Sequence, residues 1–293
     1  MILREPQVVW VREVPTEKKA VLQLIESAGR LCYKSEDNIT PLSYLSFSRM
    51  LIRREHLAML EHSNFVVWCD RGMLEGELIL NHGTFLTIHV DEEKNRVYIG
   101  GNLTAWCKSF LNNTTHGLGV VSFFSMYGDI FGKMTTEIDP LWNICSTEEV
   151  PDELKRYTTY LVCDRGVTHE LVRHRVASFA QESTRYVDYK KASIEFIKPW
   201  WYLEKDVPKK HKDLFEASLK FAEKSYKALR AEGVSPQGAR AVLPCAAKSE
   251  IIVTADSKEW RHIFNLRLAA SAHPDMRVLM SILYKGFLEA GFL

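Results

Sequence analysis

The apolar positions of the chain follow helical spacing in its N-terminal part. In residues 17–33, Val21, Leu24 and Leu31 recur on one face at the period of an α-helix. The stretch Leu51–Leu60 is likewise predicted to form a helix. Two amphipathic helices are therefore expected before the first long run of strand-forming residues.

Runs of β-branched and aromatic residues predict strands further along the chain. These runs are Phe65–Cys69, residues 96–101 and residues 157–163. The first and the last of them end in the same four residues, CDRG, at 69–72 and 163–166. The shared ending indicates two related strand exits, although four residues alone do not establish a repeat.

Helical spacing returns in the C-terminal third. Apolar residues from Lys212 to Ala231 recur at alternating steps of four and three, and Gly233 comes next as a stop signal. Ser235 is then a candidate N-cap, because Pro236 suits the first position of a helix. The sequence therefore predicts one long helix and the start of another directly after it.

The last predicted helix has both a start signal and an interruption. Asp256 and Glu259 have the spacing of a capping box, which opens a helix. Pro274 is predicted to kink or break this helix near Ala270, because proline lacks the amide hydrogen that a helix interior needs.

No Gly/Ser linker or low-complexity run divides the chain. We therefore expect residues 1–293 to fold as a single domain. The segment at about residues 73–155 lies between the two CDRG strands as a long excursion. It contains one strand-like run of its own and is expected to decorate the domain.

The composition is that of an ordinary globular protein. Of its 293 residues, 46% are hydrophobic and 26% are charged, which is enough apolar material for a sizeable core. The 38 Lys and Arg residues nearly balance the 37 Asp and Glu residues, so no long-range positive field draws in a nucleic acid or a membrane. The most apolar window is too short and too interrupted to span a bilayer. Any anion must therefore be captured locally.

The six cysteines are scattered, with no CxxC pair, and the N-terminal residues show no signal peptide. This pattern predicts reduced thiols in a cytoplasmic protein. No metal site is predicted.

Local anion capture has one candidate segment, LVRHRVASFAQESTRYVDY. The part THELVRHR is predicted to form a short helix after a strand, with Glu170, Arg173 and His174 on one face. If the chain turns back after it, Ser183 and Arg185 approach the same pocket and complete an anion site. The alternative is a solvated, charged helix end, because runs of charge usually lie on the surface.

The same segment resembles the signature of the flavin-dependent thymidylate synthases, in which RHR precedes seven residues and a serine, here Ser183. Three further segments resemble that family in the same order: LEHSNF with His62, ARAVLP with Arg240, and FNLRLAASAHPDMR with Arg267. IGGNLTAW in the excursion is also similar to a segment of the family. The resemblance implies an α+β fold, an antiparallel sheet with flanking helices, assembled as a homotetramer.

The activity that the resemblance implies is the conversion of dUMP to dTMP, with carbon from methylenetetrahydrofolate and reducing equivalents from NADPH through FAD. The implied substrate-binding residues are Glu170, Ser183, Thr184, Arg185, Arg240 and Arg267. The implied cofactor-binding residues are His62, Arg173, His174, Arg175, Gln181, Asp256, Lys258 and His262. Ser183, Arg185 and Arg267 are the expected catalytic residues.

Several positions depart from the family's commonest pattern. Glu170 stands where a glutamine often contacts the nucleotide, and Ala180 and Gln181 replace an Asn-Glu pair, which leaves the acidic group at Glu182. Asp256 and Lys258 replace asparagine and arginine. These departures bear on the nucleotide and flavin contacts, and they leave the nucleotide-binding arginines in place.

Two other functions stay open on the sequence. A nucleotide-binding module without catalysis keeps the arginines and lacks the flavin. A cysteine-dependent thymidylate synthase uses a thiolate, for which Cys245 is the candidate, but Ala246 rather than a histidine comes after it.

Overall fold

The computed structural model describes residues 1–73, 86–111, 120–132, 141–190 and 192–293. The strands in these ranges are β1 (Ile2–Arg4), β2 (Gln7–Glu13), β3 (Phe65–Asp70), β4 (Thr87–Asp91), β5 (Arg96–Gly101), β6 (Asn143–Ile144), β7 (Arg156–Asp164), β8 (Ser178–Gln181), β9 (Glu195–Ile197) and β10 (Lys248–Asp256). The α-helices are α1 (Lys18–Tyr33), α2 (Ser43–Arg53), α3 (Leu103–Leu111), α4 (Val120–Phe131), α5 (Arg165–Leu171), α6 (Lys209–Ala231), α7 (Pro236–Ala239), α8 (Ser257–Arg267) and α9 (Pro274–Glu289).

The described strands form two antiparallel sheets and one parallel pair. One sheet has the strand order β2-β7-β10-β8, and the other has the order β4-β5-β3-β6. β1 pairs in parallel with β9. Helices lie beside both sheets, so the predicted α+β class with antiparallel sheets is confirmed. Among the described helices, none is both long and apolar enough to cross a membrane.

The excursion builds a sheet instead of decorating one. Its strands β4, β5 and β6 extend the sheet that β3 begins, and β3 pairs with β5 on one edge and with β6 on the other. The expectation of a peripheral addition is therefore wrong, because β3 finds its partners within the excursion. A single domain over residues 1–293 stays a prediction.

The predicted helix at residues 17–33 is confirmed as α1, whereas the one predicted at Leu51–Leu60 is wrong. The helix in that region, α2, ends at Arg53. Glu55 has a φ of 58°, in the left-handed region that ends helices, and a short 3₁₀ turn covers Leu57–Glu61. The apolar spacing spans both elements, and the backbone turns between them.

The signals read in the C-terminal third are confirmed. Helix α6 precedes Gly233, which has a φ of 88°, and α7 begins at Pro236 after Ser235 at the N-cap. The Asp256 side chain caps α8, and α9 begins at Pro274. The expected break of the last helix therefore separates α8 from α9.

Two strand–strand–helix units repeat one construction. The first unit consists of β3, β5 and α3, and the second consists of β7, β10 and α8. In each unit the first strand ends in CDRG, pairs antiparallel with the second strand, and the helix starts directly after that second strand. The two CDRG exits found in the sequence are therefore the ends of equivalent strands.

The hydrogen bonds of the two units agree in detail. Asn102 Oδ1 caps α3 by accepting from Ala105 N at 2.8 Å, and Asp256 Oδ1 caps α8 by accepting from Glu259 N at 2.7 Å. Four residues after each cap, a buried tryptophan donates its indole N–H to a backbone carbonyl of the first strand, at 2.9 Å in both units. These bonds run from Trp106 to Phe65 and from Trp260 to Tyr157.

Each unit has its own hydrophobic core. The first packs against α1, α2 and α4, and the second packs against α9. Helix α1 contacts both sheets: Ile25 lies in the core of the first unit, while Ala28 and Leu31 pack on Ala180 and Ile252 of the second sheet. The helix therefore holds the two sheets together.

Candidate functional site

The second CDRG exit leads into the short helix α5. Asp164 Oδ1 caps this helix by accepting from Val167 N at 2.9 Å. Arg165 N donates to the carbonyl oxygens of Cys245 and Ala247, which fixes the exit against the loop before β10. Helix α5 ends at Leu171, so the RHR triplet lies in the turn after it.

This early end separates side chains that the helical spacing placed on one face. His174 is buried at 6% exposure, whereas Arg173 and Arg175 are exposed to solvent. The predicted common face of Glu170, Arg173 and His174 is therefore wrong for Arg173, because the helix has already ended there. Glu170 and His174 do meet, through a third residue.

That third residue is Arg267 at the end of α8. Its Nη1 donates to Glu170 Oε2 at 3.0 Å, its Nη2 donates to the Glu170 carbonyl at 2.9 Å, and its Nε donates to His174 Nε2 at 2.9 Å. Glu170 thus supplies the partner that a half-buried arginine needs. Three bonds hold the guanidinium in one orientation.

The acceptor role of Nε2 determines the state of the His174 ring. Burial, and then the charges of Arg267 and His262, lower the pKa of His174 to about 4. The ring is therefore neutral at pH 7 and carries its proton on Nδ1, which lies 3.3 Å from Glu259 Oε1. His262 lies edge-on to the same ring at 5.8 Å between centroids and is exposed.

The ligand atoms of His174, Glu259 and His262 lie within 4.8 Å of one another, which is close enough for a metal ion. The Arg267 guanidinium beside them opposes a further cation, since it already donates to His174 Nε2. That no metal is bound stays a prediction.

Arg173, Arg175 and Lys258 surround this cluster as exposed cations. Across the described ranges, none of their side chains has an ion-pair or hydrogen-bond partner. The triplet therefore divides into one inward, neutral histidine and two outward, unpaired arginines. We call Arg173, Arg175 and Lys258 the outer cations.

The residues predicted for the nucleotide form a second group. Arg240 Nη1 donates to Thr184 Oγ1 at 3.3 Å, and Arg185 N donates to Ser183 Oγ at 3.3 Å. The Arg185 guanidinium lies over the Tyr186 ring, 5.4 Å from its centroid. Both arginines are exposed, so their charges are available to a ligand. Within the described part of the chain, no hydrogen bond joins this group to Arg267.

Gln181 and Asp256 use their polar groups within the scaffold. Gln181 Nε2 donates to Thr168 Oγ1 at 2.8 Å and to Ser249 Oγ at 2.9 Å, which ties β8 to α5 and β10. Asp256 caps α8 through its carboxylate. Their predicted contacts with a cofactor stay predictions.

His62 lies in the interior, between the two units. Its Nδ1 is 2.8 Å from Thr254 Oγ1, and Thr254 in turn donates to Thr158 Oγ1 at 2.8 Å, so Nδ1 is the donor. Burial, and then the charge of Arg156, lowers the pKa of His62 to about 3. His62 Nε2 is buried without a hydrogen-bond partner among the described residues.

Sequence reasoning missed the acidic and basic groups that complete these clusters. Glu259 contacts His174 as well as standing at the capping position, and the spacing signalled only the cap. Glu182 is 3% exposed, accepts from Tyr189 OH at 2.9 Å and lies 3.3 Å from Lys248 Nζ. No local pattern signals the Glu182–Lys248 pair, because its members are far apart in the chain.

Residues 146–290 match the family model described as thymidylate synthase complementing protein. The flavin-dependent thymidylate synthase of Geobacter sulfurreducens is 36% identical over 115 residues, which cover 39% of this chain and 48% of that protein. That of Pyrococcus abyssi is 38% identical over 120 residues, which cover 39% of this chain and 47% of that protein. The chain spans about half the length of the curated relatives it matches.

Among solved structures, the UMP/dUMP methylase PolB from Streptomyces cacaoi bound with 5-Br dUMP is similar with a TM-score of 0.42 and 16% identity, covering 100% of this chain and 93% of that chain. A likeness this distant bears on neither fold nor function. The family match and the curated relatives confirm the resemblance read from the motifs, and residues 146–290 of this chain belong to the thymidylate synthase complementing protein family, the flavin-dependent thymidylate synthases.

Proposed function

We propose that this chain is a flavin-dependent thymidylate synthase that converts dUMP to dTMP. In this proposal methylenetetrahydrofolate provides the carbon, and reducing equivalents pass from NADPH through FAD. The family match supports it, because residues 146–290 include every predicted site residue except His62.

The observation that carries the proposal is the set of outer cations around a neutral histidine. Arg173, Arg175 and Lys258 have no partner in the described part of the chain, and unpaired cations beside a fixed site favour an anionic ligand. A flavin with its phosphates fits this donor set. These three side chains would hold FAD together with His174 and His262, and bound FAD would supply the two-electron redox chemistry that uses NADPH.

The second group fits a nucleotide. Arg185 and Arg240 are exposed and would bind the phosphate and the pyrimidine of dUMP, with the Ser183 and Thr184 hydroxyls beside them. Arg267 would polarise the pyrimidine from a fixed position, since Glu170 and His174 already orient its guanidinium. A preorganised donor of this kind costs little reorganisation when charge develops.

The assembly and location belong to the same proposal. We expect a homotetramer with sites shared between subunits, because the outer cations and both nucleotide-binding arginines are open to solvent in one chain. We expect a cytoplasmic protein, in agreement with six cysteines that are all free in the structure.

The test is an absorption spectrum and a turnover assay. The full chain purified with added FAD should be yellow and should form dTMP from dUMP only when FAD, NADPH and methylenetetrahydrofolate are all present. A protein that binds dUMP and never a flavin would instead be a nucleotide-binding module.

Cys245→Ala separates the proposal from the cysteine-dependent alternative. Cys245 is exposed, and its carbonyl rather than its thiol anchors the second CDRG exit. The variant should therefore keep flavin-dependent dTMP formation. Loss of turnover in a variant that still binds FAD and dUMP would favour a thiolate mechanism.

A further inference from the structure

A cavity of about 400 Å³ lies between α3 of the excursion and the segment after the RHR triplet. Its two walls come from different parts of the chain. One wall carries Asn102, Thr104 and Lys108, and the other carries Arg175 and Ser178. Helix α3 lies outside residues 146–290, so nothing in the family match assigns it a role.

The charges of this cavity are unbalanced. Lys108 and Arg175 line it, and neither side chain has an ion-pair or hydrogen-bond partner in the described ranges. The one carboxylate among the lining residues, Glu61, accepts a hydrogen bond from Ser178 Oγ at 3.1 Å. Two unpaired cations facing one concavity favour a ligand with more than one negative charge.

An adjoining cavity of about 210 Å³ shares Asn102 with the first and contains polar atoms without partners. Asn64 is 2% exposed, lines this second cavity, and its Oδ1 accepts no hydrogen bond from the described residues. Arg156 also lines it, with Nε and Nη2 buried and unbonded among the same residues. Buried polar atoms are usually satisfied, so both cavities together are suited to a polar ligand.

The repeat of the two units supports the same conclusion. Counted from the capping residue, Thr104 and Lys108 occupy the second and sixth positions of α3, as Lys258 and His262 do in α8. The triplet lies beside both helices, since His174 contacts Glu259 of α8 and Arg175 lines the cavity with α3. The excursion therefore presents equivalent helix positions to the other side of the triplet.

We propose that α3 is part of the cofactor site and that Lys108, together with Arg175, binds the diphosphate of a dinucleotide. This inference rests on the proposed function and deepens it, by giving the excursion a binding role. The diphosphate belongs to FAD or to NADPH, which share this chemistry, and the experiment distinguishes them.

The experiment is an equilibrium titration of the full chain and its Lys108→Ala variant with FAD, riboflavin, NADPH and inorganic pyrophosphate. We expect the variant to bind FAD about tenfold or more weakly, as for the loss of one charge-assisted hydrogen bond. Riboflavin has no phosphate, so its affinity should stay unchanged. Lys108→Arg should restore most of the FAD affinity.

Lys94→Ala is the matched control. Lys94 lies in the same excursion, is exposed and pairs with Asp91 at 3.3 Å, away from the cavity. It should change none of the four affinities. Circular dichroism of each variant checks that the fold is kept.

The outcomes separate this inference from the proposed function. A tenfold loss for NADPH alone assigns the same site to NADPH. If the parent chain binds FAD and Lys108→Ala leaves FAD, NADPH and pyrophosphate unaffected, the inference is overturned and the proposed function stands. If the parent chain binds no flavin, the proposed function fails, and the pyrophosphate titration alone decides whether the cavity is an anion site.

Discussion

The two strand–strand–helix units share a scaffold and differ in what they display on it. Both use a side-chain cap and a tryptophan four residues later that bonds back to the first strand. The helix of the first unit carries one cation, Lys108, whereas that of the second carries Lys258, His262 and Arg267 among other charged residues. A few bonds therefore build the scaffold, and separate positions determine the chemistry.

The exits of the two units differ in a related way. After β3, Arg71 pairs with Glu92 on the surface, within a short 3₁₀ turn. After β7, Asp164 caps α5, which leads to Glu170 and the triplet. The same four residues thus end equivalent strands, and the element that each exit enters decides whether a site forms there.

The largest expected effect is on the shared tryptophans. Trp106→Ala and Trp260→Ala should each lower the free energy of unfolding by roughly 3–5 kcal/mol, because each removes a fully buried ring and its backbone bond. Trp200→Ala is the control, since Trp200 is 37% exposed and should matter far less. Urea unfolding measures all three. A small loss in only one unit would break the comparison.

The next effect is a pH dependence at the interior histidines. The pKa of His62 is about 3 and that of His174 about 4, both below the value in the unfolded chain. The unfolded chain therefore binds more protons below about pH 6.5, and stability falls as the pH is lowered from there towards 4. Each histidine contributes at most about 1.4 kcal/mol per pH unit.

Urea unfolding at several pH values measures this slope. His62→Gln should flatten it, because His62 bonds to the second unit while preceding β3 of the first. Arg267→Ala should raise the pKa of His174, which NMR titration of the ring would show, since the guanidinium charge lowers it. An unchanged slope in the first variant and an unchanged ring titration in the second would contradict the assigned buried, neutral histidines.

A third test concerns the arginines that only the second half of the chain provides. Arg185→Ala and Arg267→Ala should each weaken dUMP binding by roughly 1.5–3 kcal/mol, the value of a charge-assisted hydrogen bond, and weaken FAD binding much less. Arg261→Ala, on the same helix as Arg267 and exposed, is the control. Isothermal titration with each ligand measures the losses. Equal losses for both ligands would mean that these arginines are assigned to the wrong ligand.

The smallest effect is expected at the two caps. Asn102→Ala and Asp256→Ala should each cost about 0.5–2 kcal/mol of stability, because a helix N-terminus loses its side-chain acceptor. Asn102→Asp and Asp256→Asn keep an acceptor and should cost less. Thermal unfolding of the four variants compares the units directly, and a cap that matters in one unit alone would show that the scaffold is not shared.

Local signals determined much of this protein from its sequence. Ser235 with Pro236, the Asp256 cap and the break at Pro274 were predicted correctly, because a cap or a proline acts within one helical turn. The strands at residues 65–69, 96–101 and 157–163 were predicted from composition, which is also a local property. The helix predicted at Leu51–Leu60 failed, because apolar spacing does not register the left-handed backbone at Glu55.

The site itself was decided by tertiary structure. The motifs identified Arg267, Glu170 and His174 as candidates, but Arg267 bonds to residues 97 and 93 positions away, and no local pattern encodes that contact. The same holds for the excursion, whose strands pair with β3 and whose α3 faces Arg175. Pairing of distant side chains depends on how the sheets and helices pack, so only the folded chain shows which charges are neutralised and which remain open to a ligand.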